Sequence, residues 1–477
     1  MTQTLEPGDP PIVEAPPSNG AKNKPVGAVI AAVGIPMFMV TLDNLVVTNA
    51  LPVIKAELGA SLSDLQWFIN AYTLSFAALL LSASALGDRI GRRRVFLFGI
   101  GIFVVASAAC ALATEPWMLI AARAVQGAGG AAVMPLSLTL LAAAVPERMR
   151  SAAIGIWGGI AGLGVAVGPV VGGAVVDGLN WQWIFWLNVP IGLLALPFAV
   201  RMLSESRGTA RRLDLLGLLL SAGGVLAVVW GVIHGGEDGW TTPKVLVALI
   251  GGAALLVGFV AWEARVIDPM LPLRMFRSRG LSLSFIVSFA FSAGVFGAIF
   301  LLAQFFQVVQ GYTPLESGIR TLPWTMVPMV VAPLAGLIVD RVGPRVLIAS
   351  GQVLLAIALA WMALITGTDV AYGSFVAPFV LGGIGMGLTF GPSATIVMAS
   401  ASTADQGMAS GINSTVREVG VAMGIAVLAS VFASRGSYTD PQAYVDGLIP
   451  AVWVGAALVA VAAAFAAFLP AHIRQTT

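Results

Sequence analysis

Fourteen apolar stretches, each long enough to cross a bilayer as a helix, divide this 477-residue chain. They centre in windows 27–51, 65–87, 95–114, 117–145, 151–175, 184–203, 213–233, 244–263, 281–307, 318–339, 346–366, 373–399, 407–433 and 448–468. A spanning helix needs about 20 mainly apolar residues. Backbone groups in lipid must bond within their own segment, and no alternating strand pattern appears, so helices are the expected form. The composition agrees: 58% of residues are hydrophobic and 10% charged, against roughly 25% charged in a soluble chain. An all-α polytopic membrane protein follows.

Charge sets the direction of the helices. With the N-terminus placed in the cytoplasm, inside segments hold nineteen of the 25 Lys and Arg residues, and outside loops hold Lys55, Lys244 and Arg435. Arg123, Arg320 and Arg417 fall within helices. This is the asymmetry of the positive-inside rule, and an even number of crossings returns the C-terminus to the cytoplasm. Arg (21) far outnumbers Lys (4) beside abundant Ala, Gly and Val, a composition pointing to a GC-rich bacterial genome and hence to a bacterial inner membrane.

Several chemistries are excluded. One cysteine, Cys110, leaves no disulfide framework or cysteine metal site. His234 and His472 lie far apart, so no metal site is expected. No G-x-x-x-x-G-K-[ST] run is present, so ATP is not the expected energy source. No catalytic His–carboxylate set appears, so the chain is not expected to be an enzyme. No cofactor and no nucleic-acid partner are expected.

The chain repeats itself. LGDRIGRRRV (86–95) and IVDRVGPRVL (338–347) share D-R-[IV]-G-x-R, and VQGAGGAAVMP resembles LGGIGMGLTFGP at a similar offset. The expected organisation is a disordered cytoplasmic tail (1–26, six prolines), a six-helix bundle (27–204), a two-helix insert with cytoplasmic linkers (205–280), a second six-helix bundle (281–469) and a short tail (470–477). Such repeats around a midplane site are typical of secondary transporters.

Four stretches carry a specific resemblance: LDNLVVTNALP from Leu42, SALGDRIGRRR (84–94), LIAARAVQGAGGAA (119–132) and GVAVGPVVGG (164–173). NWQWIFWLNVPIG (180–192) adds to them. The chain resembles the major facilitator superfamily and, within it, the fourteen-helix drug:proton antiporters, over nearly its whole length. Leu45 stands where that family usually has Thr, and Ser84 where it has Gly. The resemblance implies an exchanger of protons for amphipathic small molecules; a monomer is expected, although nothing in the sequence reads the oligomeric state. A proton symporter for nutrient uptake is the alternative, against which the complete helix-5 signature speaks.

Candidate site residues fall into four groups. Asp43 lies two-thirds along the first span and Arg123 a third along the fourth. An ionised side chain at that depth is expensive and usually faces a partner inside the bundle. A carboxylate whose access to water and charge changes between two conformations can load and unload a proton, so Asp43 is the coupling candidate with Arg123 its modulator. A plain helix–helix hydrogen bond is the bland alternative. Asn44, Gln126, Asn413, Arg417 and Glu418 form polar zones open to three readings: cargo contact, a second proton site, or a structural Arg–carboxylate pair. Asp88, Arg89, Gly91, Arg92 and Arg93, with Asp340 and Arg341, are by resemblance a cytoplasmic latch between the halves. Gly164, Gly168 and Gly172 recur every four residues and leave one bare stripe, and Pro169 lacks a backbone donor. With Gly173 they are, by resemblance, the antiporter hinge.

The charge distribution makes a topological prediction. An impermeant maleimide should label a cysteine introduced at Asp238 in intact cells, and one at Arg211 only after permeabilisation.

Overall fold

The computed structural model describes residues 25–207, 214–269, 271–400 and 406–470. Residues 1–24 of the expected tail 1–26, residues 471–477 of the expected tail 470–477, and most of the basic linker before the insert lie outside these residues; Val26 already begins α1. The helices are α1 (Val26–Leu58), α2 (Leu62–Ile90), α3 (Arg92–Ala111), α4 (Pro116–Ala144), α5 (Glu147–Gly178), α6 (Trp183–Trp186), α7 (Asn188–Met202) and α8 (Leu215–Asp238). They continue as α9 (Pro243–Glu263), α10 (Arg279–Val308), α11 (Pro314–Arg320), α12 (Leu322–Val342), α13 (Pro344–Ile365), α14 (Gly373–Ser400), α15 (Gln406–Arg435) and α16 (Pro441–Ala466). A 3-10 turn spans Leu273–Arg277.

Among the described residues, thirteen helical segments are long and apolar enough to cross a membrane. The remaining expected run is α5, a 32-residue helix with a described apolar stretch at Val167–Gly178. Two expected helices are broken. The sixth divides into α6 and α7, and the tenth into α11 and α12. Pro190 and Pro323 supply no N–H to the carbonyls four residues earlier, so the ladder is interrupted there.

Helix ends follow local chemistry. Gly59, at φ 62°, ends α1 in the left-handed conformation. Ser61 and Asp64 then form a reciprocal cap that starts α2, and Thr313 with Glu316 does the same for α11.

Packing is set largely by small residues, because in lipid there is little hydrophobic drive between helices and close backbone approach carries the association. Gly129 of α4 sits against the backbone of Gly99 and Phe103 on α3, while Gly127 sits against the Tyr72 carbonyl of α2. The second half uses the same scheme. Gly385 of α14 meets Gly351 of α13, and Gly383 of α14 meets Pro323 and Val327 of α12. Likewise α1 packs on α5 and α10 on α15. α8 lies on both α2 and α15, across the seam between the halves, and α9 packs on α8.

The halves also meet at the face opposite the two termini. Gln307 Nε2 of α10 donates to the Asn49 carbonyl of α1 at 2.9 Å, and Leu315 N of α11 donates to Asp177 of α5 at 3.1 Å. Lys55 Nζ lies 3.3 Å from the ring centroid of Tyr438, which precedes α16.

Candidate functional site

Asp43 and Arg123 meet inside the first half, 2% and 0% exposed. Arg123 Nη1 donates to Asp43 Oδ2 at 2.5 Å. The other carboxylate oxygen accepts from Gln126 Nε2 at 2.8 Å and from Asn188 Nδ2 at 2.7 Å. Gln126 also bonds Ser107 at 2.8 Å and accepts from Arg123 at 2.6 Å. Arg123 Nε donates to the Phe68 carbonyl at 3.0 Å, and its guanidinium lies 4.3 Å from the Tyr72 ring centroid. Five helices thus converge on one carboxylate and one guanidinium: α1, α2, α3, α4 and α7.

Local sequence explains the convergence. Arg123 and Gln126 are three apart, so both face the same side of α4. Gly127 and Gly130 carry no Cβ toward α2, which lets the Phe68 carbonyl and the Tyr72 ring close on the guanidinium. Trp181 donates to Glu57 at 2.8 Å and so ties the start of the sixth span to the end of α1. The break before α7 then brings Asn188 to Asp43.

The pair is dry. A crevice lined by Leu42, Val46, Val171, Ile184 and Leu187 runs to Asp43 and Asn188 but has no room for a water-sized sphere; one water needs roughly 10–15 Å³. Isolated charges in such a place would be very costly, and only pairing with added hydrogen bonds makes them tolerable.

The expected residues separate into groups. Asp43, Arg123 and Gln126 come together. Asn44 follows Asp43 directly in α1, points about 100° away from it, is half-buried and is not among Asp43's partners. Asn188, Ser107 and Tyr72 complete the network and were missed. Asn188 was legible in principle, as the lone amide in the apolar run WIFWLNVPIG.

In the second half, Asn413 accepts from Ser288 of α10 at 2.8 Å. Arg417 and Glu418 lie 4.0 Å apart, and the Arg417 guanidinium lies 5.4 Å from the Phe390 ring of α14. Among the described residues, none of these three is hydrogen-bonded to the Asp43 network.

The helix-5 motif has two working faces. Gly164, Gly168 and Gly172 rest on Thr41, Leu45 and Val46 of α1, within the first half. Gly173 instead rests on the Pro314 and Leu315 backbone at the start of α11, and the Pro169 carbonyl meets Gly318 of α11. That carbonyl also accepts from Asn49 at 2.9 Å.

The loop after α2 bonds to its own half and to the start of the linker that follows it in this structure. Arg92 pairs with Asp88 at 2.7 Å, Arg93 donates to the Val200 carbonyl at 2.7 Å, and the Arg93 backbone donates to Glu205 at 3.0 Å. Gly91 lies against the Glu205 carboxylate. Arg89 and Arg341 are exposed, and the side chain of Asp340 lies outside the described residues.

This architecture and site can be set beside known proteins. Residues 33–425 match the family model of the Major Facilitator Superfamily. The chain is 34% identical over 446 residues to a tetracenomycin C resistance and export protein of Streptomyces glaucescens, covering 93% of this chain and 82% of that one. It is 39% identical over 412 residues to a multidrug resistance protein of Mycobacterium tuberculosis, covering 86% and 76%. A cephamycin export protein of Amycolatopsis lactamdurans is 38% identical over 406 residues, covering 84% of each. In fold it is similar to a bacterial homolog of the human lysosomal transporter Spinster in an inward-facing, unoccupied conformation. The TM-score is 0.65 at 17% identity, over 94% of this chain and 98% of that one. The chain belongs to the Major Facilitator Superfamily.

Breaking a buried pair by removing one partner costs about 3–5 kcal/mol, whereas replacing both with apolar groups is often neutral. Arg123→Met should therefore destabilise the purified protein by about that amount, and Asp43→Leu/Arg123→Met should recover most of it. Denaturant unfolding in detergent checks both.

Proposed function

We propose that the chain is a proton-driven exporter of amphipathic small molecules that works by alternating access. It sits in the bacterial cell membrane with both termini in the cytoplasm. The observation that carries the reading is the dry Asp43–Arg123 ion pair, held by five helices inside one half.

The chemistry follows from Asp43's partners. As a carboxylate it accepts from Arg123, Gln126 and Asn188 at once. A proton on Asp43 cancels the charge that balances Arg123 and removes one acceptor position. The guanidinium is then left uncompensated, which disfavours the packed arrangement. Six residues further along the same helix, Asn49 bonds both Pro169 and Gln307. A shift of α1 on protonation is therefore transmitted along a rigid rod to the contact that seals the halves. Gly173 and Pro169 give α5 a hand in the same seal, which supports the hinge role expected for the motif. Opening there admits protons from outside and releases cargo. Closing there returns the site to the state described above.

The latch reading is kept for the other conformation. With the halves closed at the face opposite the termini, the Asp88–Arg93 loop bonds to its own half and to Glu205 of the following linker. When the terminal face closes, the same loop and its copy at Asp340–Arg341 approach each other across the halves. Exposed charge contacts of this kind are worth about 0–1 kcal/mol each, which suits a contact that must open every cycle. Glu418, paired loosely with Arg417, serves as a second carboxylate for a proton or a cationic cargo.

The reading supports one decisive variant. Asp43→Asn keeps an oxygen acceptor and an amide of similar shape but cannot load and release a proton. In vesicles with an imposed pH gradient it should lose gradient-driven efflux of a dye such as ethidium, while still inserting and eluting as a folded protein. Undiminished pH-driven efflux in that variant would overturn the assignment.

A further inference from the structure

α2 turns a polar stripe that the Asp43 network does not use. Gln66, Asn70 and Thr73 follow at four- and three-residue steps and share one face with Ala77. Gln66 is 1% exposed, and Asn70 and Thr73 are 0%. Among the described residues, Gln66 Oε1, both amide atoms of Asn70 and the Thr73 hydroxyl have no hydrogen-bond partner. Buried polar atoms are nearly always paired, so four orphaned atoms in a row on one helix face ask for an explanation.

The neighbours of α2 show where that face points. The Phe68 carbonyl and the Tyr72 ring are committed to Arg123 on α4. Trp67 and Leu74 join an apolar cluster with Val229 and Val232 of α8 and Ala422 and Ala426 of α15. Contacts with α15 run antiparallel in one register: Leu81 lies against Gly411, and the Thr415 hydroxyl reaches the Ala77 carbonyl at 3.5 Å. Continuing that register sets Glu418 level with Thr73 and Leu74, Ala422 level with Asn70, and Ala426 level with Gln66. The stripe therefore lies along the seam between the two halves, level with Ala422 and Ala426 and, at Thr73, with Glu418.

We propose that this α2–α15 seam is a hydrogen-bonding lane for cargo. Gln66, Asn70 and Thr73 receive the hydroxyl, carbonyl or amide groups of an uncharged amphipathic molecule when the halves part. The three side chains offer donors and acceptors but no charge, which is the equipment for orienting a neutral polar compound, and the Arg417–Glu418 pair stands level with Thr73 at one end of the lane. In the closed seam these atoms wait without partners. That disfavours the empty closed state and rewards a cargo that can pair with them. The proposal rests on the exporter reading and adds the class of substrate to it.

Cysteines placed on the stripe test it directly. Cys110 is buried and does not compete for a water-soluble reagent. Asn70→Cys and Thr73→Cys, each checked for monodisperse elution, are treated with a water-soluble maleimide. The reaction is run alone, with neutral trihydroxyanthraquinone, or with tetraphenylphosphonium, which has no hydrogen-bonding groups. The lane requires that the introduced cysteines react, that the anthraquinone slows the reaction about tenfold, and that the phosphonium does not. If one variant does not fold, the other decides. No reaction would mean a dry helix contact; reaction that neither probe slows would mean a merely wet one. Equal slowing by both probes would mean bulk occlusion. Each of these outcomes overturns the lane.

A second measurement reads the hydrogen bonds themselves. Asn70→Leu/Thr73→Val should weaken anthraquinone binding about tenfold or more, read by intrinsic tryptophan fluorescence, and leave phosphonium binding unchanged. A gain in thermal stability with unchanged anthraquinone affinity would assign the stripe to packing alone and sink the proposal. Asp43→Asn separates the two readings. Loss of exchange with protection of the Thr73→Cys thiol retained supports both the coupling role and the lane. Retained exchange counts against Asp43 only, and loss of protection in the Asp43-intact protein counts against the lane only.

Discussion

The Asp43–Arg123 ion pair is the constraint around which the first half is built. Two opposite charges buried without water must satisfy each other and nearly all their remaining hydrogen-bonding capacity. That requirement explains an otherwise scattered set of residues. Gln126 and Asn188 are present because one carboxylate oxygen still needs donors, and Ser107 because Gln126 needs a second acceptor. The Phe68 carbonyl takes Arg123 Nε, and the Tyr72 ring covers the face of the cation. Arg123 Nη2 remains without a partner among the described residues. The arrangement is therefore fully held on the carboxylate side and under-satisfied on the guanidinium side. Loss of the carboxylate's charge strikes it where it has the least reserve.

The glycines serve the same requirement from outside. A guanidinium can reach a backbone carbonyl on another helix only if the helices come unusually close, and Gly127 and Gly130 provide that on α4. On α5 the bare stripe does more than pack. Three of its glycines fasten the helix to α1, which carries Asp43, while Gly173 and the Pro169 carbonyl touch α11 of the second half. One motif thus joins the helix that bears the charge to the contact between the halves. Substituting Gly127, Gly172 or Gly173 acts through a backbone neighbour that cannot move aside, whereas Gly130, Gly164 and Gly168 are met first by side chains.

Much of this was legible in the sequence, for identifiable reasons. The helices were, because apolar length in lipid has one solution and the charge asymmetry checks the count. The breaks before α7 and α12 were not placed, although Pro190 and Pro323 stand at them: in lipid-length helices a proline more often bends than divides, and the run's hydropathy hides the interruption. Asp43, Arg123 and Gln126 announced themselves as polar atoms at forbidden depth. Asn188 and Ser107 did not, because a lone amide or hydroxyl in an apolar helix is common and its partner lies far away in the chain. The Gln66–Asn70–Thr73 stripe stayed hidden for another reason. Near the start of α2 its polarity reads as a solvated helix end, and only the packing of α15 shows it to be buried.

The two halves share a scaffold but not a core. Gly129 of α4 and Gly385 of α14 hold equivalent places, each against a glycine of the preceding helix, Gly99 or Gly351. Six residues before Gly129 stands Arg123; six before Gly385 stands Phe379. Where the first half has a guanidinium among Asp43, Gln126 and Tyr72, the second has Phe379 among Phe306, Phe375 and Trp324. Gln126 is likewise replaced by Gly382, against which the Trp324 ring packs. An aromatic cluster of this kind is indifferent to protons and has a single close-packed arrangement. The charged core is held instead by one buried ion pair and the hydrogen bonds to its carboxylate. On the proposed exporter reading, the aromatic cluster serves as a fixed counterface, so a proton's effect on α1 is expressed as motion between the halves rather than lost as strain within both.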